Sequence, residues 1–126
     1  MKYLTVAKND VVEFLEERLE EGFARVAFIK KIGPWVEKEG FEIRIISVWA
    51  IFHPSGHIVT WEWYKISDGT HSIHPSPTLC EYENEFELRE TLKPYGVELL
   101  PHLPLVRHLA FLKVVKKRKQ GKVLRR

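Results

Sequence analysis

Residues 41–66, FEIRIISVWAIFHPSGHIVTWEWYKI, read as two β-rich runs on either side of His53-Pro54-Ser55-Gly56-His57. Proline at the second turn position and glycine at the fourth suit a type I turn closed by a left-handed glycine, a three-residue hairpin loop with a bulge. The turn sets the register: with His53 facing His57, Ile51 pairs with Val59, Trp49 with Trp61, Ser47 with Trp63 and Ile45 with Lys65. One face then carries three tryptophans. The other carries Ile46, Val48, Ala50, Phe52, Ile58, Tyr64 and Ile66, interrupted by Thr60, Glu62 and Arg44. A hairpin with one solvated face alternates apolar with polar residues; this one is largely apolar on both sides, so each side requires cover.

The flanking sequence supplies candidates for that cover. Asn9 or Asp10 caps a helix running to about Glu21, with Val12, Leu15 and Leu19 on one face and Glu13, Glu16, Glu17 and Glu20 toward solvent. Gly22 ends it. FARVAFIKKI (23–32) reads as a first strand broken by Gly33-Pro34, and a turn follows at Glu39-Gly40. Residues 67–80, SDGTHSIHPSPTLC, read as a turn-rich loop. A second helix is expected at about 83–93, able with the first to cover one face. A third, about 103–118, covers the rest or meets a second subunit. The fold class is α+β: a small antiparallel sheet of three to four strands with a central hairpin at about 41–66, packed by an N-terminal helix and C-terminal helices.

At 126 residues and 44% hydrophobic content, the chain is the size of one domain and can bury a core without staples. The single cysteine, Cys80, precludes an internal disulfide, and no apolar run approaches the roughly 18 residues of a membrane span. The N-terminus has no export pattern, so a cytoplasmic protein without a membrane partner is expected. Charged residues make up 29%, with one glutamine, one methionine and one cysteine, a balance resembling hyperthermophile proteins.

The net charge of +3 is unevenly distributed. Residues 1–112, read as the domain, hold 12 Lys and Arg against 17 Asp and Glu, a net of −5, whereas the tail at 113–126 holds 8 basic groups and no acid. Such a block is a solvated arm whose commonest specific use is attachment to a polyanion.

Three groups of residues could carry chemistry. Trp49, Trp61 and Trp63, with Phe41 along the strand and Lys65 at its end, make a platform on which bases would stack; the competing reading is core or subunit interface. Arg25, Lys30, Lys31, Arg44 and Lys65 are cations in a sheet-forming region poor in acids, serving either phosphate contact or the blunting of strand edges. His53, His57, His71, His74 and Cys80 fall within 28 residues, but without the spacing of a zinc finger. Glu62, mid-strand among tryptophans, would gain a raised pKa by burial and could join a histidine in acid–base cleavage of a phosphodiester; pairing with Arg44 is the plainer alternative.

The aromatic and cationic sheet of residues 41–66, followed by a C-terminal helical segment, resembles in plan the ThermoDBP-type single-stranded DNA-binding proteins of hyperthermophilic archaea. The resemblance implies binding of single strands in a cleft between sheet and helices, and assembly into dimers or larger oligomers. The sequence thus points to a non-catalytic binder of single-stranded nucleic acid, most simply DNA, forming a homo-oligomer. Its contacts would be Trp49, Trp61, Trp63, Phe41, Lys65, Arg44, Arg25, Lys30 and Lys31, with Lys116, Lys117, Arg118 and Lys119 of the tail. No catalytic residue, metal or cofactor is assigned. A small nuclease using His53, His57, His71 and Glu62, or a structural subunit of a nucleoprotein complex, remains the alternative.

Overall fold

The computed structural model describes the backbone of residues 2–3 and 10–124 and the side chains of residues 10–118. It is an α+β fold in which eight strands form one antiparallel sheet: β1 (Lys2–Tyr3), β2 (Arg25–Phe28), β3 (Val36–Lys38), β4 (Phe41–Phe52), β5 (Ile58–Ser67), β6 (Ser72–Ile73), β7 (Thr78–Tyr82) and β8 (Leu103–Pro104). Three α-helices, α1 (Val11–Glu20), α2 (Glu85–Leu92) and α3 (Leu105–Leu124), pack around it, with a 3-10 turn at Lys93–Tyr95. Among the described residues no helix is long and apolar enough to cross a membrane.

The β4–β5 hairpin is the centre of the sheet. Its turn has the expected form: the His53 amide donates to the His57 carbonyl at 2.8 Å, the Gly56 amide to the His53 carbonyl at 2.9 Å, and Gly56 takes a φ of +99°. Ile51 pairs with Val59, Trp49 with Trp61 and Ser47 with Trp63 as the turn dictates. Beyond this point a β-bulge between Ile45 and Ser47 shifts the ladder, so Ile45 faces Tyr64 and Arg44 faces Lys65. The expected Ile45–Lys65 pair is therefore replaced. One extra residue on one strand moves Ile45 to the face of Val48 and Ala50, where all three are fully buried.

The sheet is wider than three to four strands because each outer edge of the hairpin is lined by two short strands. Along β4, β2 pairs with Trp49–Phe52 and β3 with Phe41–Ile43; along β5, β7 pairs with Ile58–Glu62 and β6 with Ile66–Ser67. Part of the stretch read as a loop at 67–80 is thus β6 and the start of β7, whose Leu79, Cys80 and Tyr82 are buried. β1 and β8 close the two sides on β7 and β2. Such pairing leaves little open ladder on the long strands.

Both apolar faces acquire cover, though by a different division of helices than expected. Asp10 caps α1 by accepting from the Val12 amide at 2.9 Å, and Gly22 (φ +95°) ends it. Phe14 and Leu15 of α1, with Leu105 and Leu109 of α3, pack on the tryptophan face beside Val26, Ile51, Val59 and Trp61. The opposite face is covered by Leu88 and Leu92 of α2 and by Val97 and Leu99 beyond it. Asn84 caps α2 by accepting from the Glu87 amide at 2.8 Å.

Glu62 lies on this second face, 1% exposed. It is paired not with Arg44 but with hydroxyls: Thr60 donates at 2.5 Å, Tyr82 at 2.6 Å, and Tyr64 donates as well. Burial, then the Glu62 charge, pushes the Tyr64 phenol and the Cys80 thiol far up, so both stay protonated. The carboxylate is satisfied by neutral donors its own strand and β7 provide, which makes it a structural hub with no opening toward a substrate. Glu62→Ala leaves three buried hydroxyls without their acceptor and should cost about 3–5 kcal/mol in urea denaturation, while Glu62→Gln, which keeps one acceptor oxygen, should cost about 1–2 kcal/mol.

Candidate nucleic-acid interface

The expected tryptophan platform is occupied by the protein itself. Trp61 is 5% exposed inside the α1–α3 core and meets the Trp63 ring edge-on at 6.1 Å. Trp49 lies against Phe28 at 4.8 Å and His108 at 5.4 Å, and the Trp63 indole N–H donates to the Pro75 carbonyl at 2.6 Å. The apolar stripes of α1 and α3 need a surface to cover them, and this face of the hairpin provides it. Trp61 is core, which removes it as a base platform, and Trp49 and Trp63 are half-buried against that core.

The cations fare differently. Lys30, Lys31 and Arg44, far apart in the chain, line one cleft of about 1260 Å³ with Arg89 and Lys93 from α2 and the 3-10 turn; Glu90 and Glu98 are its only carboxylates. Lys30, Lys31 and Lys93 are exposed, and none of the three is held in an ion pair among the described residues. The cleft lies where the chain leaves the sheet after Ile29, whose amide still donates to the Val48 carbonyl at 3.3 Å, bends at Lys30–Lys31 and returns at Gly33, whose amide donates to the Ile45 carbonyl at 2.8 Å. Lys30 and Lys31 thus sit on a bend and not on the strand itself. Phe86, 73% exposed, and Ile32 add apolar wall.

The remaining candidates lie elsewhere. Arg25 donates to the His102 carbonyl at 3.1 Å, Lys65 is half-buried opposite Arg44, and Phe41 is exposed at the start of β4. Helix α3 runs without a break through residues 112 and 113. Within it Lys116 binds Asp10 at 3.2 Å and Lys113 binds Glu16 at 3.3 Å, while Lys117 and Arg118 are exposed; the Lys119 side chain lies outside the described residues. Sequence reasoning passed over Trp35, Phe86, Arg89 and Lys93. The available signal was Trp35 itself, a tryptophan placed directly after the strand-breaking Gly33-Pro34.

The histidines do not gather. His53 bonds Ser55 and lies at the hairpin turn with His57, whereas His71 (beside Asp68) and His74 (against Trp63) follow the far end of β5, a strand of about 30 Å by its 10 residues. Cys80 is buried under the opposite face from Trp63. Among the described residues no three potential ligands converge on a metal position.

His108, unassigned by sequence, stacks on Phe28 at 5.0 Å beside Trp49 and its Nε2 is buried without a hydrogen-bond partner. Burial holds its pKa below the ordinary imidazole value. The folded chain therefore keeps His108 neutral where the unfolded chain takes up a proton. Stability present above about pH 6.5 should be lost as pH falls through that value toward the lower folded pKa. His108→Phe, which preserves the stack, should flatten this part of the pH dependence of the urea midpoint.

Compared with known protein families, curated proteins and solved structures, the chain has no significant match among any of the three.

Proposed function

We propose that this chain is a non-catalytic binder of single-stranded nucleic acid whose contact surface is the cleft between the Lys30–Pro34 bend and α2. The observation that carries the reading is the meeting of Lys30, Lys31, Arg44 and Lys93 around one groove with exposed apolar wall, joined by Arg89, which Glu85 binds at 2.7 Å. Phosphates are held by such cations, and the apolar surface between them favours unpaired bases over a duplex. The acids of α1 lie across the sheet from this groove, which itself holds Glu90 and Glu98 beside its cations. The basic end of α3 adds a second source of phosphate affinity, from Lys117 and Arg118.

Self-association belongs to the same reading. Val106, Phe111 and Val114 are exposed apolar residues spread over the outer side of α3, a surface a second copy would cover. A cytoplasmic setting accords with Cys80 as a buried free thiol. The nuclease alternative gains nothing from the geometry, since Glu62 is sealed by hydroxyls and the histidines sit at opposite ends of β5.

Fluorescence anisotropy with a labelled oligothymidine across a salt series tests the reading. Binding should be strong at low salt and weaken linearly in log–log form, by about 0.7 in slope per phosphate contacted. Replacing Lys30 and Lys31 together by Ala should lower that slope by about 1.4. Absence of binding at low salt, or a slope indifferent to the double substitution, would sink the assignment.

A further inference from the structure

We propose that Trp35, backed by Arg44, is a stacking plate for one unpaired base at the edge of the cleft; the proposal rests on the nucleic-acid reading above. Of the four tryptophans, Trp35 alone lies outside the buried clusters and counts among the exposed large apolar residues, at 36%. The exposed part of the ring is surface that a stacked base could cover.

One side of the ring is already taken. The Arg44 guanidinium carbon sits 5.2 Å from the Trp35 ring centroid, and Arg44 Nε donates to the Gly33 carbonyl at 2.9 Å. The guanidinium is fixed twice, on the ring and on the backbone two residues before it. Since Nε makes the backbone bond, the two terminal nitrogens remain as donors for a phosphate. A base arriving on the other side of the ring would be stacked on a cation-backed indole, with Lys30, Lys31 and Lys93 lining the same cleft as Arg44.

The plate is also rigid. A Cβ on Gly33 would stand 2.8 Å from Val97 Cγ1 and 3.0 Å from the Tyr95 carbonyl oxygen, and one on Gly96, at φ +69°, would stand 2.9 Å from Pro34 Cγ. The segment Gly33-Pro34 is thus wedged against Tyr95–Val97, and Trp35 follows it directly. A ring held in place before the ligand arrives loses little freedom on binding, which favours affinity over a mobile aromatic. The residue pattern, an exposed tryptophan between a bound arginine and a wedged glycine-proline step, is hard to account for by packing alone, because Trp35 joins neither buried cluster.

The experiment compares the full chain with Trp35→Ala and Trp35→Phe on two labelled strands of equal length, an oligothymidine and its abasic counterpart with the same phosphates. For the wild-type chain the abasic strand should bind about 5- to 100-fold more weakly, the range of one stacked base. Trp35→Ala should lose the same factor on oligothymidine and nothing on the abasic strand, with the salt slope unchanged on both. Trp35→Phe should retain most of the affinity and abolish most of the tryptophan quenching by oligothymidine. Equal wild-type binding of the two strands overturns the stacking plate, and so does an equal loss on both strands in Trp35→Ala. Either result leaves the phosphate-binding cleft standing. Failure of the wild-type chain to bind either strand at low salt overturns the cleft itself. Should Trp35→Ala fail to fold, the wild-type comparison of the two strands and the Trp35→Phe quenching still decide the matter.

Discussion

A long hairpin that is apolar on both faces governs this molecule. β4 and β5 present Ile45, Val48, Ala50 and Ile58 to one side and Trp49, Ile51, Val59 and Trp61 to the other. Neither side can face water, because burying a single side chain of this kind is worth about 1.5–3 kcal/mol. The chain therefore builds three layers, with α1 and α3 on the tryptophan side and α2 with its following segment on the other. The same demand extends to the edges, where four short strands line the two long ones. Charged ends of helices, bends and loops are what remains for solvent.

This constraint explains why the interface candidates lie at the margin. Trp61 is consumed by helix packing, Trp49 and Trp63 are half covered by His108 and by the His74–Pro75 segment, and the buried carboxylate of the second face, Glu62, is sealed by Thr60, Tyr64 and Tyr82. The proposed contact surface accordingly lies where the sheet is interrupted. The interruption is the bend at Lys30–Lys31, between the pairing of β2 and that of β3 on the same strand β4. Function carried on a bend fixed by a rigid sheet is a common division of labour.

The hairpin turn and the first pairs of its ladder were legible because Pro54 and Gly56 demand one turn geometry, and register then follows residue by residue. The bulge at Ile46 was not legible: Ile45 and Ile46 are equally suited to the core, so nothing in the apolar pattern says which one is extra. β7 was hidden because Thr78–Tyr82 follows Pro75 and Pro77, and the loop signal of those prolines masked a strand that its burial then stabilises. At the interface, Lys30, Lys31 and Arg44 could be singled out as cations in a region poor in acids. Their partners Arg89 and Lys93 could not, since α2 reads as an acidic helix and only its packing brings these two to the cleft. The choice between core and platform for Trp49, Trp61 and Trp63 turned on where α3 would pack, a tertiary fact that strand periodicity does not contain.

The direction of α3 bears on how the charge of the chain is used. Its first residue, Leu105, donates to the Ala24 carbonyl, and one turn later His108 stacks on Phe28 beside Trp49, so the helix travels away from the 53–57 turn and toward the end of the sheet that carries Arg44 and Lys65. Helix α1 runs the opposite way, and its acids at positions 10 and 16 meet Lys116 and Lys113. Two of the tail's cations are thereby spoken for, and the tail is a weaker electrostatic reserve than its 8 basic residues imply. Lys117 and Arg118 belong to a helix packed with α1 on the tryptophan side, across the sheet from the cleft that Arg44 lines. Exposed charges act together only within about a Debye length, roughly 8 to 10 Å at physiological salt. Charges on opposite sides of the sheet are thus largely screened from one another, and the cleft and the basic helix are separate sources of positive potential.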